Sequence, residues 1–184
     1  MDRTEAEIIA RARQGHEEAL REIIEKYEHQ VAATVTGILG SGPEVDDVGQ
    51  ETFVRFFRSL HRFRGDSQVG TYITRIAINL SLNELKRRKR YTRFQGDELP
   101  ESAADPPNQR NPESAADIKR IVGDGLGQLR PEFKTVVVLR LIDGFSTKET
   151  AEMLGLAQGT VLSRLARGQA KLKEIIAGMI EDRP

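Results

Sequence analysis

The chain has 184 residues, 38% of them hydrophobic, with 28 basic and 28 acidic side chains and no cysteine. That is enough apolar material for one large or two small cores held by packing alone, and it excludes disulfides, thiolate catalysis and cysteine-ligated zinc. No apolar run approaches the roughly 20 residues that a bilayer crossing requires, and the acidic, polar start MDRTEAEIIARARQ is unlike a signal peptide, so a cytosolic chain with no membrane insertion is expected.

Period-two alternation never persists, whereas apolar residues recur at helical spacing, which predicts an all-α fold. A first helix starts at Thr4, where Thr4 and Glu7 have capping-box spacing, and stops near Gly15. The second places Leu20, Ile23, Ile24, Tyr27, Val31 and Val35 on one face. A third opens at SGPE, with Ser41 and Glu44 at capping-box spacing and Pro43 in the first turn, and runs through Phe53, Phe56, Phe57 and Leu60. A fourth spans about Gly70 to Arg90 and buries Ile73, Ile76, Ala77 and Leu80.

From Gln95 to Ala116 the pattern lapses into Pro, Ser, Asn and acidic residues with little to bury, which predicts a flexible acidic linker. Those residues reach at most ~75 Å extended and ~25 Å as a coil. Helical signals then resume in DIKRIVGDGLGQL and in PEFKTVVVLRLIDG, with Pro131 in the first turn and Gly144 past the end. The expected organisation is two small helical domains, 1–94 and 117–184, joined by the linker 95–116. The glycines at 123, 125 and 127 lack a preceding strand and dinucleotide spacing, so they read as a loosened helix rather than a phosphate cradle.

The zero net charge conceals blocks. Residues 1–60 carry 7 basic and 12 acidic side chains, 61–93 carry 9 and 2, 94–118 carry 1 and 6, and 119–184 carry 11 and 8. Two basic blocks separated by an acidic one point to two anion-binding surfaces. The first includes five consecutive cations, Lys86 to Arg90, at a helix end. Such a cluster complements the helix dipole, but the same helix also aligns Arg75, Asn79 and Asn83 at four-residue spacing, with Phe63, Tyr72, Tyr91 and Phe94 nearby. Cations beside aromatics suit single-stranded nucleic acid, whose phosphates take the charge and whose unstacked bases take the rings.

The second basic block lies in FSTKETAEMLGLAQGTVLSRLARGQAKLK, Phe145 to Lys173. Ser146 and Glu149 form another capping box, Gly155 permits a tight turn, and a new helix starts near Gln158. This is a helix-turn-helix, whose second helix can enter the major groove of duplex DNA. Its candidate DNA-facing residues are Gln158, Thr160, Leu162, Ser163, Arg164 and Arg167.

Two long segments, Asp46 to Arg90 and LRPEFKTVVVLRLIDGFSTKETAEMLGLAQGTVLSRLARGQAKL, resemble the second and fourth regions of the extracytoplasmic-function sigma factors, the smallest type in the sigma-70 family of bacterial RNA polymerase subunits. The resemblance implies a non-enzymatic promoter-specificity subunit. Asp47, Gln50 and Glu51 would dock on the clamp helices of the polymerase's largest subunit. The loop Phe63 to Gln68, with Phe63, Arg64 and Ser67, would capture a base flipped from the -10 element. Tyr72, Arg75, Asn79 and Asn83 would lie beside it, and Lys86, Arg87 and Arg88 would hold the adjoining backbone. The helix-turn-helix would bind the -35 element as duplex. Because these elements lie roughly 20 base pairs apart, near 70 Å, the connector would be stretched when both are engaged, and it can collapse in the free chain. An anti-sigma factor is an implied partner; no cofactor or metal is.

Departures from the family pattern fall at Tyr72, usually tryptophan; Gly49, usually branched; Thr150, usually isoleucine; and Leu162, usually basic. The competing reading is a free-standing helix-turn-helix regulator acting without polymerase. Enzymatic readings fail because His16, His29 and His61 show no metal-ligand spacing and no nucleophile elbow occurs.

Overall fold

Thr4 caps the first helix, α1 (Glu5–Arg13), accepting from Glu7 N–H while Glu7 accepts from Thr4 N–H at 2.9 Å. The computed structural model describes residues 4–65, 67–95 and 115–181. After α1 come α2 (Glu17–Leu39), α3 (Glu44–Ser59), α4 (Val69–Gln95), α5 (Ala115–Gly127), α6 (Pro131–Val137), α7 (Thr147–Leu154) and α8 (Gln158–Glu181), with no strand among the described residues. A tight 3-10 turn, Leu60–Arg62, follows α3, and α6 widens into a π turn over Val138–Ile142.

The capping box predicted at Ser146 and Glu149 is also present and starts α7. The one predicted at Ser41 and Glu44 is not formed. Pro43 occupies the cap without a side-chain bond, and the Glu44 carboxylate instead meets Arg88 at 2.8 Å. Helix α4 continues five residues past Arg90, and Ala115 and Ala116 already belong to α5. The segment predicted as linker is therefore helical at both ends, and its residues 96–114 lie outside the described ones.

The first unit packs α2 against α3 and α4. The predicted stripe of Ile23, Tyr27, Val31 and Val35 meets Val48, Phe53 and Phe56 from α3 and Ile73, Ala77 and Leu80 from α4. Phe56 is fully buried, edge-on to Phe57 and Tyr72 at 5.5 and 6.0 Å. In the second unit Leu126, Leu129, Val137 and Val138 close on Leu165 and Leu172 of α8. Two glycines let helices cross closely: a Cβ on Gly125 would lie 2.9 Å from Leu172, and one on Gly168 would lie 2.7 Å from Val137.

The two units also pack on each other. Ile38 and Ile78 from the first unit and Leu139, Phe145 and Met153 from the second form one buried cluster. Gly37 is the socket, because a Cβ there would stand 2.8 Å from a Val138 methyl. Alongside, the Thr34 hydroxyl reaches Asp143 at 2.8 Å.

Charged groups fit this seam less well than apolar ones. Burial lowers the pKa of Lys134, and nearby Arg88 lowers it further. Burial raises Asp143 to about 6, against the opposing effect of its hydrogen bond from Thr34. If opening returns Asp143 to solvent, the packed form binds more protons, so the seam tightens on acidification and loosens as pH climbs through about 6. Lowering pH from 7 to 5 is expected to shift the open-closed balance a few-fold toward closed. X-ray scattering from the free chain would show it as a smaller radius of gyration, and Asp143→Asn should abolish the pH response.

Candidate nucleic-acid interface

Arg75, Asn79 and Asn83 are all exposed, at four-residue spacing along α4. Eight residues of α-helix place the ends of this row ~12 Å apart, which spans about two stretched nucleotides. Arg64 and Ser67 are exposed on the loop before α4, where Gly65 takes a φ of +81° that other residues rarely adopt. Phe63 is placed differently from the expectation. It is 9% exposed, and its ring lies 5.2 Å from the half-buried Tyr72, whose hydroxyl donates to Ser59. The buried Phe63 ring therefore supports the loop from beneath, while Tyr72 stays partly open to solvent.

The basic run divides in two. Arg88 is held inside the fold: it donates to Leu39 O at 3.1 Å, pairs with Glu44 at 2.8 Å and lies 3.6 Å from Glu84. It ties the end of α2 and the start of α3 to α4, so the guanidinium that the sequence reading assigns to the DNA backbone is engaged within the fold here. Arg87 is exposed but makes a two-point contact with Glu84, and those hydrogen bonds hold the Glu84 carboxyl below its usual range. Lys86, Lys89 and Arg90 project into solvent. Tyr91, 59% exposed with the Arg87 guanidinium 5.7 Å from its ring, is the exposed aromatic of this helix end among the described side chains. It belongs with the candidate site, and its sequence signal was an aromatic abutting a cationic run. The side chain of Phe94 lies outside the described ones.

A groove of about 320 Å³ runs between α3 and α4. Asp47, Glu51 and Arg55 line one wall, and Asn83, Glu84 and Arg87 the other. Glu51 pairs with Arg55 at 2.7 Å, and Gln50 is exposed nearby on α3. Asp47 and Glu51, expected to meet a protein, thus face Asn83 and Arg87, expected to meet single-stranded DNA, across one cleft.

In the second unit α7 ends at Gly155, whose φ of +64° makes the turn into α8. Val161 is fully buried while Gln158, Leu162, Ser163 and Arg167 are exposed and Thr160 and Arg164 half-buried. The predicted DNA-facing set thus lies around the amino-terminal half of one helix, with Leu162 54% exposed at its middle. The Ser163 hydroxyl donates to Thr160 O at 3.0 Å. Thr150, beneath this motif, is fully buried and its hydroxyl has no partner among the described residues.

Residues 23–91 match the profile of sigma-70 region 2, and residues 119–172 match that of sigma-70 region 4. The ECF RNA polymerase sigma-E factor of Haemophilus influenzae is 30% identical over 182 residues, covering 94% of this chain and 95% of that protein. Its Escherichia coli K12 counterpart is 29% identical over 192 residues, covering 96% of both. Among solved structures, CnrH in complex with the cytosolic domain of CnrY superposes with a TM-score of 0.68 at 25% identity, covering 93% of this chain and 96% of that one. The sigma factor RpoE in complex with the anti-sigma factor NepR from Bartonella quintana gives 0.72 at 20% identity, covering 85% and 96%, a likeness of fold alone.

Proposed function

Because this chain belongs to the extracytoplasmic-function group of the sigma-70 family, we propose that it divides initiation between the two surfaces described above. It is an alternative sigma factor, a transcription initiation factor whose partners are core RNA polymerase and promoter DNA. We read it as non-enzymatic and cytoplasmic. The observation that carries this reading is the succession of region 2 and region 4 within one chain that spans 95% of the Haemophilus influenzae relative. A free-standing regulator needs the helix-turn-helix alone and leaves region 2 without a role.

In this division Asp47, Gln50 and Glu51 on α3 meet the clamp helices of the largest polymerase subunit. Along α4, Arg75, Asn79, Asn83, Lys86 and Arg87, with Lys89 and Arg90 beyond them, hold the melted -10 strand, and Arg64 and Ser67 receive a flipped base. Extruding a base costs a few kcal/mol, which stacking and hydrogen bonds in the loop must return because no nucleotide hydrolysis drives melting. Gln158, Thr160, Leu162, Ser163, Arg164 and Arg167 contact duplex DNA at the -35 element. An anti-sigma factor, the kind of partner named for the Bartonella quintana structure, is the expected restraint on this chain.

Run-off transcription with purified core polymerase tests the function, and Glu51→Lys tests the docking face within the same assay. The substitution removes the Arg55 pair and reverses the charge on the cleft wall. Core affinity is expected to fall at least tenfold while duplex -35 binding by the free chain is unchanged, and equal core affinity would remove Glu51 from the docking face.

A further inference from the structure

Arg13 is the last residue of α1 and lies ahead of the residues that match region 2. Its Nε donates to Leu60 O at 3.2 Å and its Nη2 donates to Phe63 O. These two carbonyls bracket the root of the loop that follows α3. Phe63 N–H itself bonds back to Leu60 O at 3.2 Å, and at Phe63 the backbone leaves the helical region for an extended conformation. The loop is thus pinned twice at its base, by the Phe63 ring against Tyr72 on one side and by the Arg13 guanidinium on its carbonyls on the other. A planar fork that spans two carbonyls fixes direction as well as distance, which a lysine ammonium cannot reproduce. Arg13 is also exposed, so its role is not to fill the core.

We propose that Arg13 is a positioning residue for base capture: it holds the loop beginning at Phe63 in the pose that receives the flipped base. The proposal rests on the reading of that loop given above and adds to it a residue from outside the matched region. Arg13 touches no DNA in this account; it acts through the carbonyls of Leu60 and Phe63. Its loss should therefore relax discrimination at one base and spare every other contact.

The test uses holoenzyme reconstituted with the wild-type chain, Arg13→Ala or Arg13→Lys. Each is titrated with fork DNA carrying a promoter mapped by transcript ends, the unpaired strand either intact or bearing one abasic residue at successive positions. Wild-type holoenzyme is expected to lose on the order of tenfold in affinity at the captured position. Arg13→Ala should bind intact and abasic forks alike there, with core affinity and duplex -35 binding unchanged and the thermal midpoint lowered by no more than a few degrees for the two hydrogen bonds lost, and Arg13→Lys should keep part of the preference at most. A full abasic penalty in Arg13→Ala overturns the proposal, as does a general loss in which thermal midpoint and core affinity fall together. A wild-type holoenzyme indifferent to abasic residues at every position overturns the base-receiving reading itself, an outcome distinct from either of those.

Discussion

A chain carrying Gly37→Cys and Val138→Cys, once oxidised, will fail to support promoter-dependent transcription, and a reductant will restore it. The distance is suitable, since a Cβ at position 37 lies 3.5 Å from the Val138 Cβ, within the about 3.5–4.5 Å that a disulfide bridges. The background is clean because the chain has no other cysteine. In the packed arrangement α4 touches α7, and α7 touches α8. Two successive helix contacts at 8–10 Å each leave the recognition helix roughly 20 Å from α4. The two promoter elements are ~70 Å apart on duplex DNA. The seam between Gly37 and Val138 must therefore separate before both elements are held. Run-off product from the oxidised double variant is expected to fall at least tenfold, each single-cysteine variant should ignore the oxidant, and reduction should return full output. Equal product from cross-linked and reduced chains would show that initiation does not require opening.

Replacing Lys86, Lys89 and Arg90 with alanine is expected to flatten the salt dependence of single-strand binding by about two units of log affinity per log salt, at roughly 0.7 unit for each phosphate released. These three side chains project into solvent at the end of α4, so the thermal midpoint should stay where it is. Arg88→Ala should do the reverse. It removes the bond to Leu39 O and the pair with Glu44 in a partly buried setting, at a cost of about 1–3 kcal/mol. Calorimetry should then show a lower midpoint, with the salt slope of the folded variant preserved. If Arg88→Ala instead cuts the slope and leaves the midpoint alone, the division of the basic run is wrong.

That division shows how far the sequence could be read. Five adjacent cations look alike on paper, and only the fold shows that Arg88 points back toward Glu44 and Leu39 while its neighbours point out. The same contact explains the failed expectation at Ser41, because Glu44 is taken by a cation 44 residues away rather than by the local backbone. Boxes with no such competitor, at Thr4 and Ser146, form as the spacing predicts. The core stripe of α2 was legible because its residues are apolar and periodic. Its second face, Thr34, Gly37 and Ile38, was not, since a threonine and a glycine carry no hydrophobic signal and their partners lie 100 residues on. The burial of Phe63 was illegible for a related reason: aromatics serve both cores and nucleic acids, and sequence distance from a basic run does not separate the two. Arg13 gave no signal, because its acceptors are backbone carbonyls, which every residue has.

Helix α8 is fastened to its neighbours along one edge only, by Val161, Gly168 and Leu172, while Gln158, Leu162, Ser163 and Arg167 face away from the fold. The bare crossing at Gly168 tolerates almost no change, whereas the outward set can vary without touching the core. Mechanical support and the proposed address reading thus fall to different letters of the same helix. If the outward set reads promoter DNA as proposed, a change of target needs edits only at those positions and leaves the scaffold of the helix alone.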